Sequence, residues 1–324
     1  MIKLKINKTF DIIGKRKIFF IISSAIVALT VIFSFVFGVG LDIEFAGGSM
    51  ATYSYTGEVD VNKVQSVTEE AIGSQVSIQQ SQDLATGKDN LVISVNGTES
   101  LTKDEQSAMT DALKKEFSAN EFALEQINNV DPVIGREFLL KSLIAVAAAS
   151  VLMIIYIAFR FRRIGGWSAG VVSVIALLHD VLVIYAIFVI FRIPLNNNFI
   201  AAALTILGYS INATIVVYDR IRENKRIMSN KVPIAELVNK SVNQSLSRSI
   251  NTTFATILAL VAACVLALVF NVNTILTFAF PLIIGMVSGV YSSLCISSSL
   301  WVVWQEHKEK RNSYKGRMAR KNAK

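Results

Sequence analysis

Six stretches of this sequence are each long and apolar enough to cross a lipid bilayer as a helix. A spanning helix needs about 20 mainly apolar residues, and the six stretches cover residues 18–39, 138–159, 165–191, 198–218, 249–270 and 275–304. Only 17% of the residues are charged, against about 25% in an ordinary soluble domain. The sequence therefore predicts an α-helical membrane protein with six transmembrane helices.

Lysine and arginine are concentrated on one side of the predicted membrane. They cluster before the first span, between spans two and three, between spans four and five, and after the last span, at residues 3–17, 160–163, 220–240 and 308–324. With six spans these segments all fall on the same side, which the positive-inside rule assigns to the cytoplasm. Both termini are therefore predicted to be cytoplasmic.

The long segment between the first two spans has the opposite charge. Residues 41–135 contain 16 Asp or Glu and 5 Lys, a net charge of −11. Because the whole chain has a net charge of +8, the remaining residues carry +19. Its apolar residues alternate in four short stretches and recur at helical spacing in two others, in the order β-α-β-β-α-β. Thr102 and Glu105 have capping-box spacing at the start of the second helix. This order predicts a small ferredoxin-like domain outside the cytoplasm.

The predicted layout has five parts. They are a cytoplasmic N-terminal segment at 1–17, transmembrane helix 1 at 18–40, an extracytoplasmic domain at 41–136, transmembrane helices 2–6 at 137–304, and a basic cytoplasmic tail at 305–324.

The sequence offers no pattern typical of an enzyme or a metalloprotein. It has no P-loop, no G-x-S-x-G and no C-x-x-C motif. Cys264 and Cys295 lie in apolar segments, and His179 and His307 have no metal-ligating neighbours at suitable spacing. We therefore expect no cofactor, no metal and no catalysis. Because the basic residues flank apolar spans, we expect membrane lipids rather than nucleic acid as their partners.

Glycines recur at four-residue spacing in two of the spans. Gly166 and Gly170 lie in the third span, and Gly285 and Gly289 lie in the sixth. Such spacing places small residues on one face of a helix, where a neighbouring helix can approach closely. We expect close helix contacts at both pairs.

Polar side chains within the spans are the candidates for function. Asp180 and His179 lie near the middle of span three, Asn212 lies in span four, and Arg248 lies at the start of span five. Ionisable groups at membrane depth are costly and commonly belong to ion pathways. Hydrogen bonds between helices are the alternative for His179, Asp180 and Asn212, and an interfacial anchor is the alternative for Arg248.

The fourth span carries a second polar pattern, within the segment GYSINATIVVYDRIREN at residues 208–224. Ser210, Asn212 and Thr214 are predicted to form a polar stripe that faces a neighbouring helix or a water-lined path. A charged cluster then marks the predicted cytoplasmic end of the span, either as a functional element or only as a solvated anchor. Its members are Asp219, Arg220, Arg222 and Glu223.

This segment closely resembles the fourth-span signature of the SecD/SecF family of protein-export membrane proteins, and of its SecF branch in particular. Five further segments resemble the same family in the same order: FDIIGKRKIFF, LDIEFAGGSM, VIGREFLLKSLIA, ALLHDVLV and SVNQSLSRSINTT. The second departs from the family's L/I-D-F-x-G-G pattern by the added Glu44. The resemblance runs from about Phe10 to Asn251.

The resemblance implies a fold and an activity. The fold is half of a transporter of the RND (resistance-nodulation-division) superfamily, completed by SecD, in a bacterial cytoplasmic (inner) membrane. The activity is use of the proton gradient, or in some members the sodium gradient, to assist export of polypeptides through the SecYEG channel. SecD, SecYEG, YajC and the exported polypeptides are the partners that it implies.

One position departs from the family in a way that concerns mechanism. The family has an aspartate directly after the asparagine of the fourth-span signature, where this chain has Ala213. The resemblance implies that this aspartate belongs to the proton path and works with the arginine that corresponds to Arg248. Three interpretations stay open: coupling relies on Asp180 and on SecD carboxylates, the chain couples through another ion or not at all, or the alanine was introduced to trap one state.

Two alternative functions also remain open at this stage. An RND-type exporter of small molecules or lipids would need a second half, which a homodimer could supply. A scaffold of the translocon without ion coupling is the other alternative, and Ala213 makes it more plausible.

Overall fold

The computed structural model describes residues 9–82, 89–96, 101–228, 232–270 and 272–322. Within these ranges, six helical spans are long and apolar enough to cross a membrane, as predicted. The first five are α1 (Arg16–Phe37), α5 (Pro132–Arg160), α6 (Gly166–Ile190), α7 (Asn197–Ile227) and α8 (Ile234–Val269). The sixth consists of α9 (Asn273–Tyr291), a π-helical segment (Ser292–Ser297) and α10 (Ser298–Asn322), with Pro281 inside α9.

A four-stranded antiparallel sheet with two helices on it lies between α1 and α5. A short helix, α2 (Ile43–Ala46), leads into it, and the domain follows as β1 (Gly48–Tyr55), α3 (Val61–Ile72), β2 (Val76–Gln82), β3 (Asp89–Asn96), α4 (Lys103–Glu116) and β4 (Ala123–Val130). The strand order is β2-β3-β1-β4. This confirms the predicted fold class, including the β-α-β-β-α-β order of the small domain.

The sheet domain has its own apolar core between the sheet and its two helices. Tyr53 from β1, Leu91 and Ile93 from β3, and Met109 and Leu113 from α4 are fully buried there. The predicted capping box is present, because Thr102 accepts a hydrogen bond from the Glu105 backbone and the Glu105 carboxylate accepts one from the Thr102 backbone. The Thr102 backbone and hydroxyl both donate to the Glu105 carboxylate, and these two hydrogen bonds lower the pKa of Glu105.

The membrane helices are not equally buried. About half of the apolar windows of α6 and α7 is buried within the chain, 56% and 50%, whereas α1 and α8 each bury only 11%. Helices α6 and α7 therefore form the centre of the bundle, where a polar side chain is shielded from lipid by its neighbours.

The two ends of the bundle differ in chemistry. At one end, Arg16 of α1 pairs with Glu306 of α10 at 3.0 Å, and Arg160 of α5 pairs with Asp219 of α7 at 3.3 Å. Helix α8 joins the two groups, because its Asn239 accepts a hydrogen bond from the Ile12 backbone and its Gln244 accepts one from Arg220. We call this end the basic face. At the other end, the Asp42 backbone donates a hydrogen bond to the Leu195 carbonyl at 2.9 Å, which ties the start of the sheet domain to the α6–α7 loop.

Both glycine pairs lie at close helix contacts, as their spacing predicts. A Cβ atom on Gly166 would lie 2.1 Å from the carbonyl oxygen of Ala158 in α5. A Cβ atom on Gly170 would lie 2.8 Å from the carbonyl oxygen of Ile154 in the same helix. In α9, a Cβ atom on Gly285 would lie 2.8 Å from the Ile184 side chain of α6. Helices α5 and α9 therefore approach α6 closely enough to exclude even a methyl group.

We predict that Gly166→Ala lowers the thermal unfolding midpoint of the purified chain in detergent. The added methyl group meets backbone, which cannot rotate away, and overpacking of this kind costs about 1–3 kcal/mol. Gly208→Ala is the control, because no atom lies within 4 Å of a Cβ placed there. Equal midpoints for the two variants would contradict the close α5–α6 contact.

Candidate functional site

Asp180 lies at the middle of α6 and is fully buried, with 0% of its surface exposed. Three serine hydroxyls donate hydrogen bonds to its carboxylate. Ser210 of α7 and Ser292 of the π-helical segment donate to Oδ2 at 2.8 and 2.6 Å, and Ser288 of α9 donates to Oδ1 at 2.7 Å. We call Asp180 with these three serines the Asp180 cage.

The small residues of the sixth span make the cage possible. Ser288 and Ser292 are four residues apart, so they share one helix face that is turned towards α6. Between them on this side lies Gly289, where a Cβ atom would be 3.2 Å from the Ser210 hydroxyl and 3.7 Å from Asp180 Oδ2. The glycine therefore lets α7 and the sixth span close on the carboxylate from two sides.

A row of hydroxyl groups continues from the cage towards the basic face. The Thr214 hydroxyl donates a hydrogen bond to Ser293 at 2.9 Å, and the Ser293 and Ser210 hydroxyls are 3.4 Å apart. One turn further along α7, the Tyr218 hydroxyl lies 3.0 Å from that of Ser297. The π-helical segment supplies both serines, and π-helical turns are frequent at functional sites.

His179 is buried beside the cage but contacts it weakly. Its Nδ1 lies 3.5 Å from Asp180 Oδ1, which is long for a hydrogen bond. Its Nε2 is buried and has no hydrogen-bond partner among the described residues. Asp180 is therefore held mainly by hydroxyl groups, which are uncharged.

The predicted polar stripe of α7 is split between two faces of the helix. Ser210 and Thr214 are buried, whereas Asn212 is exposed. The prediction that all three share one face was wrong, because successive α-helical residues are rotated by about 100° and only residues three or four apart are neighbours. Asn212 therefore does not join Asp180, and Ala213 beside it is only half-buried.

Arg248 also lies outside the cage, on the exposed side of α8 near the basic face. Helix α8 begins at Ile234, well before the predicted apolar span, so Arg248 is an interior residue of a longer helix. It lines a groove of about 420 Å³ with the charged cluster that ends the fourth span. The structure thus brings Asp180 and His179 together and places Asn212, Ala213 and Arg248 elsewhere.

The charged cluster on α7 is paired within itself and to α5. Asp219 contacts Arg222 at 2.8 Å as well as Arg160, and Arg220 contacts Glu223 at 2.6 Å. The helix continues past the cluster to Ile227. The cluster therefore marks the basic face without ending the helix.

A second buried carboxylate, Asp42, lies where the sheet domain joins the bundle. Only 7% of its surface is exposed, and its Oδ1 atom has no hydrogen-bond partner among the described residues. Burial raises the pKa of Asp42, and the nearby charge of Glu44 raises it further. Glu44 also accepts a hydrogen bond from the Asn197 backbone at the start of α7, at 2.9 Å. This junction links the domain to α7, the helix that carries Ser210.

Metal-binding groups do not gather anywhere in the part of the chain that the structure describes. No three His, Cys, Asp or Glu side chains there are grouped so that they could hold a metal ion.

Three serines of the sixth span belong to the candidate site although the sequence analysis does not single them out: Ser288, Ser292 and Ser293. An uncharged serine does not stand out in a membrane span as Asp180 does. The available signal was their spacing, since Ser288 with Ser292 and Ser293 with Ser297 are each four residues apart in an otherwise apolar span.

Known proteins resemble this chain over nearly its whole length. The family described as "Protein export membrane protein SecD/SecF, C-terminal" matches residues 109–307. The protein translocase subunit SecF of Calditerrivibrio nitroreducens is 34% identical over 300 residues, covering 92% of this chain and 94% of the relative. The protein translocase subunit SecDF of Bacillus subtilis is 32% identical over 308 residues, covering 94% of this chain but 39% of the relative.

A solved structure agrees with these sequence relatives. The crystal structure of SecDF, a translocon-associated membrane protein from Thermus thermophilus, superimposes with a TM-score of 0.76 at 30% identity. The match covers 93% of this chain and 39% of that chain. This chain therefore spans about two-fifths of the length of the SecDF proteins that it matches.

We predict that Ser292→Ala lowers the thermal unfolding midpoint, whereas Ser299→Ala does not. Ser292 donates to the buried Asp180 carboxylate, and loss of a hydrogen bond to a charged group costs about 1.5–3 kcal/mol. Ser299 is equally buried, but its hydroxyl has no partner among the described residues. Thermal unfolding of both variants in the same detergent is the measurement, and an equal effect would show that the Asp180 cage contributes nothing specific.

Proposed function

We propose that this chain, which belongs to the SecD/SecF family of protein-export membrane proteins, acts as the SecF half of a complex with SecD. In this complex it would use the proton gradient, or in a variant the sodium gradient, to assist Sec-dependent export of polypeptides. The membrane would be the bacterial cytoplasmic membrane, with the basic face and both termini in the cytoplasm. The sheet domain would lie outside, where emerging polypeptide is accessible.

The single observation that carries the coupling proposal is the Asp180 cage. Among the described residues, Asp180 is the one carboxylate that is fully buried at the middle of a span. A serine hydroxyl can donate to a carboxylate and, after rotation, can accept from a protonated carboxyl. The cage can therefore satisfy Asp180 in both protonation states, which is the requirement for a group that takes up and releases a proton in a dry bundle.

The row of hydroxyl groups supports proton release from Asp180 towards the basic face. Ser210, Thr214 and Tyr218 lie at successive turns of α7 between Asp180 and the basic face, and Ser293 and Ser297 lie opposite them. Hydroxyl groups can pass a proton by rotating between donor and acceptor orientations. We infer that release towards the cytoplasm follows this row.

The exposed faces of α7 and α8 support the presence of a second half. Thr205, Gly208 and Asn212 of α7 and Thr252 of α8 are all exposed. Small and polar residues allow helices to pack closely and to hydrogen-bond across an interface in lipid. Fused SecDF proteins carry more than half of their length beyond the region matched here, so we assign this face to SecD. Ala213 and Arg248 border the same face, where carboxylates of SecD would take the place of the missing aspartate.

SecYEG, YajC and the exported polypeptides complete the proposed set of partners. Their support is membership of the family, whose relatives are called translocase subunits. The alternative is an exporter of small molecules or lipids formed by two copies of this chain. Purification from the membrane separates the two functions: if the chain is recovered with SecD, protein export is supported, and if it is recovered only as a homodimer, small-molecule export is supported.

We predict that Asp180→Asn abolishes the gradient-dependent part of protein export. The variant keeps the size of the side chain but cannot exchange a proton. Cells that lack their own SecF would receive this chain with its cognate SecD, and processing of a signal-bearing reporter would be followed with and without an uncoupler. Asp219→Asn is the matched control, since Asp219 is a half-exposed surface carboxylate at the basic face.

The amount of each variant in the membrane and its recovery with SecD must equal those of the original chain. If Asp180→Asn still supports export that an uncoupler reduces, the ionisable group lies elsewhere and our assignment is wrong.

We also predict that Ala213→Asp does not change export in the same cells, because coupling here relies on Asp180 and on SecD. The same reporter assay, at a fixed membrane potential and pH gradient, compares the two forms. If only the Ala213→Asp form restores export, the chain with Ala213 is uncoupled, and position 213 rather than Asp180 is the essential point of the path.

We predict that Gly208→Leu weakens association with SecD while leaving the isolated chain intact. Gly208 is exposed and a Cβ atom placed there has open space around it, so we expect the added side chain to extend from the surface of this chain towards the partner. Co-purification with tagged SecD gives the association, and the thermal midpoint of the chain alone gives its integrity. Unchanged co-purification would show that SecD binds another face.

A further inference from the structure

A groove between α6 and α10 opens to the outside of the bundle near the basic face. Its volume is about 670 Å³. Trp167 and Ile175 of α6 form one wall, and Val303 and Trp304 of α10 form the other. Large parts of these side chains are uncovered, with Trp167 66% and Trp304 46% exposed. In a membrane protein such an apolar groove faces hydrocarbon chains.

The end of the groove nearest the basic face is positively charged. His307, Lys308 and Arg311 line it, and all three are exposed. Within the described ranges, neither Lys308 nor Arg311 forms an ion pair. Two acidic residues are close in sequence on this helix, and neither lines the groove. Glu306 pairs with Arg16, and Glu309 is exposed. The positive charge of this end is therefore available to a ligand.

The two walls are fixed relative to each other. Gln305 of α10 donates a hydrogen bond to the Ser168 hydroxyl of α6 at 2.9 Å, and Ser168 in turn donates to the Gly165 carbonyl at 2.7 Å. Trp301 of α10 is fully buried, in the same apolar core as Val172 of α6, which lines the groove. The groove is thus a preformed feature of the fold rather than a gap between loose helices.

We propose that this groove binds an anionic phospholipid. The headgroup phosphate lies against Lys308 and Arg311, and one acyl chain follows the wall formed by Trp167, Ile175 and Trp304. The groove matches both parts of this ligand. Its apolar wall suits an acyl chain, which a free anion lacks, and its basic end suits an anionic headgroup better than a zwitterionic one. Basic pockets between transmembrane helices at the cytoplasmic surface are known to hold such headgroups, and tryptophan is enriched at that depth.

The position of the groove favours lipid over a protein partner. The face that we assign to SecD consists of α7 and α8, and neither helix lines this groove. The proposal therefore does not depend on the assignment of the SecD interface. It requires only that the chain spans a membrane with the basic face at the lipid headgroups.

Quenching of tryptophan fluorescence by brominated lipids tests the proposal. The chain has three tryptophans. Trp167 and Trp304 line the groove, whereas Trp301 is fully buried against Tyr218. The purified full chain in detergent is titrated with brominated phosphatidylglycerol or brominated phosphatidylcholine. We expect half-maximal quenching at a mole fraction of phosphatidylglycerol about tenfold lower than that of phosphatidylcholine.

Removal of the two basic groups should abolish this preference. For Lys308→Gln with Arg311→Gln we expect the half-maximal mole fraction of phosphatidylglycerol to rise about tenfold, to the value for phosphatidylcholine, because the charge that selects the headgroup is gone. The control is Lys240→Gln with Lys310→Gln, which removes the same charge from exposed residues that do not line the groove. Native mass spectrometry of retained lipid provides a second measurement, and thermal unfolding in phosphatidylcholine shows that both double variants fold.

Three results would overturn the proposal. Equal quenching by the two lipids in the original chain would show that no headgroup is selected. An equal loss of preference in both double variants would show a general charge effect of the basic face. Relief of phosphatidylglycerol quenching by millimolar inorganic phosphate would show a site for the free anion, without a contribution from the acyl chain.

Discussion

The burial of one carboxylate determines how the central helices of this chain must pack. An aspartate in the middle of a membrane helix is tolerated only if its oxygens are satisfied, and Asp180 obtains this from Ser210, Ser288 and Ser292. These serines come from two other spans, so α6, α7 and the sixth span must meet at one depth. Gly289 favours the meeting, because a Cβ atom there would lie 3.2 Å from the Ser210 side chain, closer than an ordinary van der Waals contact.

Much of the fold could be predicted from the sequence because it depends on properties that add up along the chain. The length of the apolar stretches predicts six spans, and the distribution of charged residues distinguishes the two ends of the bundle. The alternation of apolar residues gave the order of the sheet domain. The cage was only half predicted, since Asp180 stands out by its charge whereas a serine in a membrane helix is ordinary until its partner is known. The error at Asn212 had another cause: residues 210, 212 and 214 are close in sequence, but the helix turns the middle one away.

The division of α7 into an inner and an outer face bears on Ala213. The inner face carries Ser210, which is part of the Asp180 cage, and Thr214, which follows it in the row of hydroxyl groups. The outer face carries Gly208 and Asn212, with Ala213 and Arg248 at its border. A carboxylate at position 213 would therefore act towards a partner rather than towards Asp180. The cage is intact without it. In the proposed complex its absence would change only what this chain contributes to the interface, and SecD would have to supply any ionisable group there.

The sixth span connects the cage to the groove, which lies between the same span and α6 nearer the basic face. Ser292 contacts Asp180, and Gln305 contacts Ser168, so the same two helices are fastened at two depths about 13 residues apart on the sixth span. A phospholipid held between Trp167 and Trp304 would fill the space between those helices at the basic face and restrict their separation. Any motion that opens the cage by moving the sixth span away from α6 must then also distort the lipid site. The composition of the surrounding membrane would in this way affect the packing around Asp180, although the lipid does not contact the carboxylate.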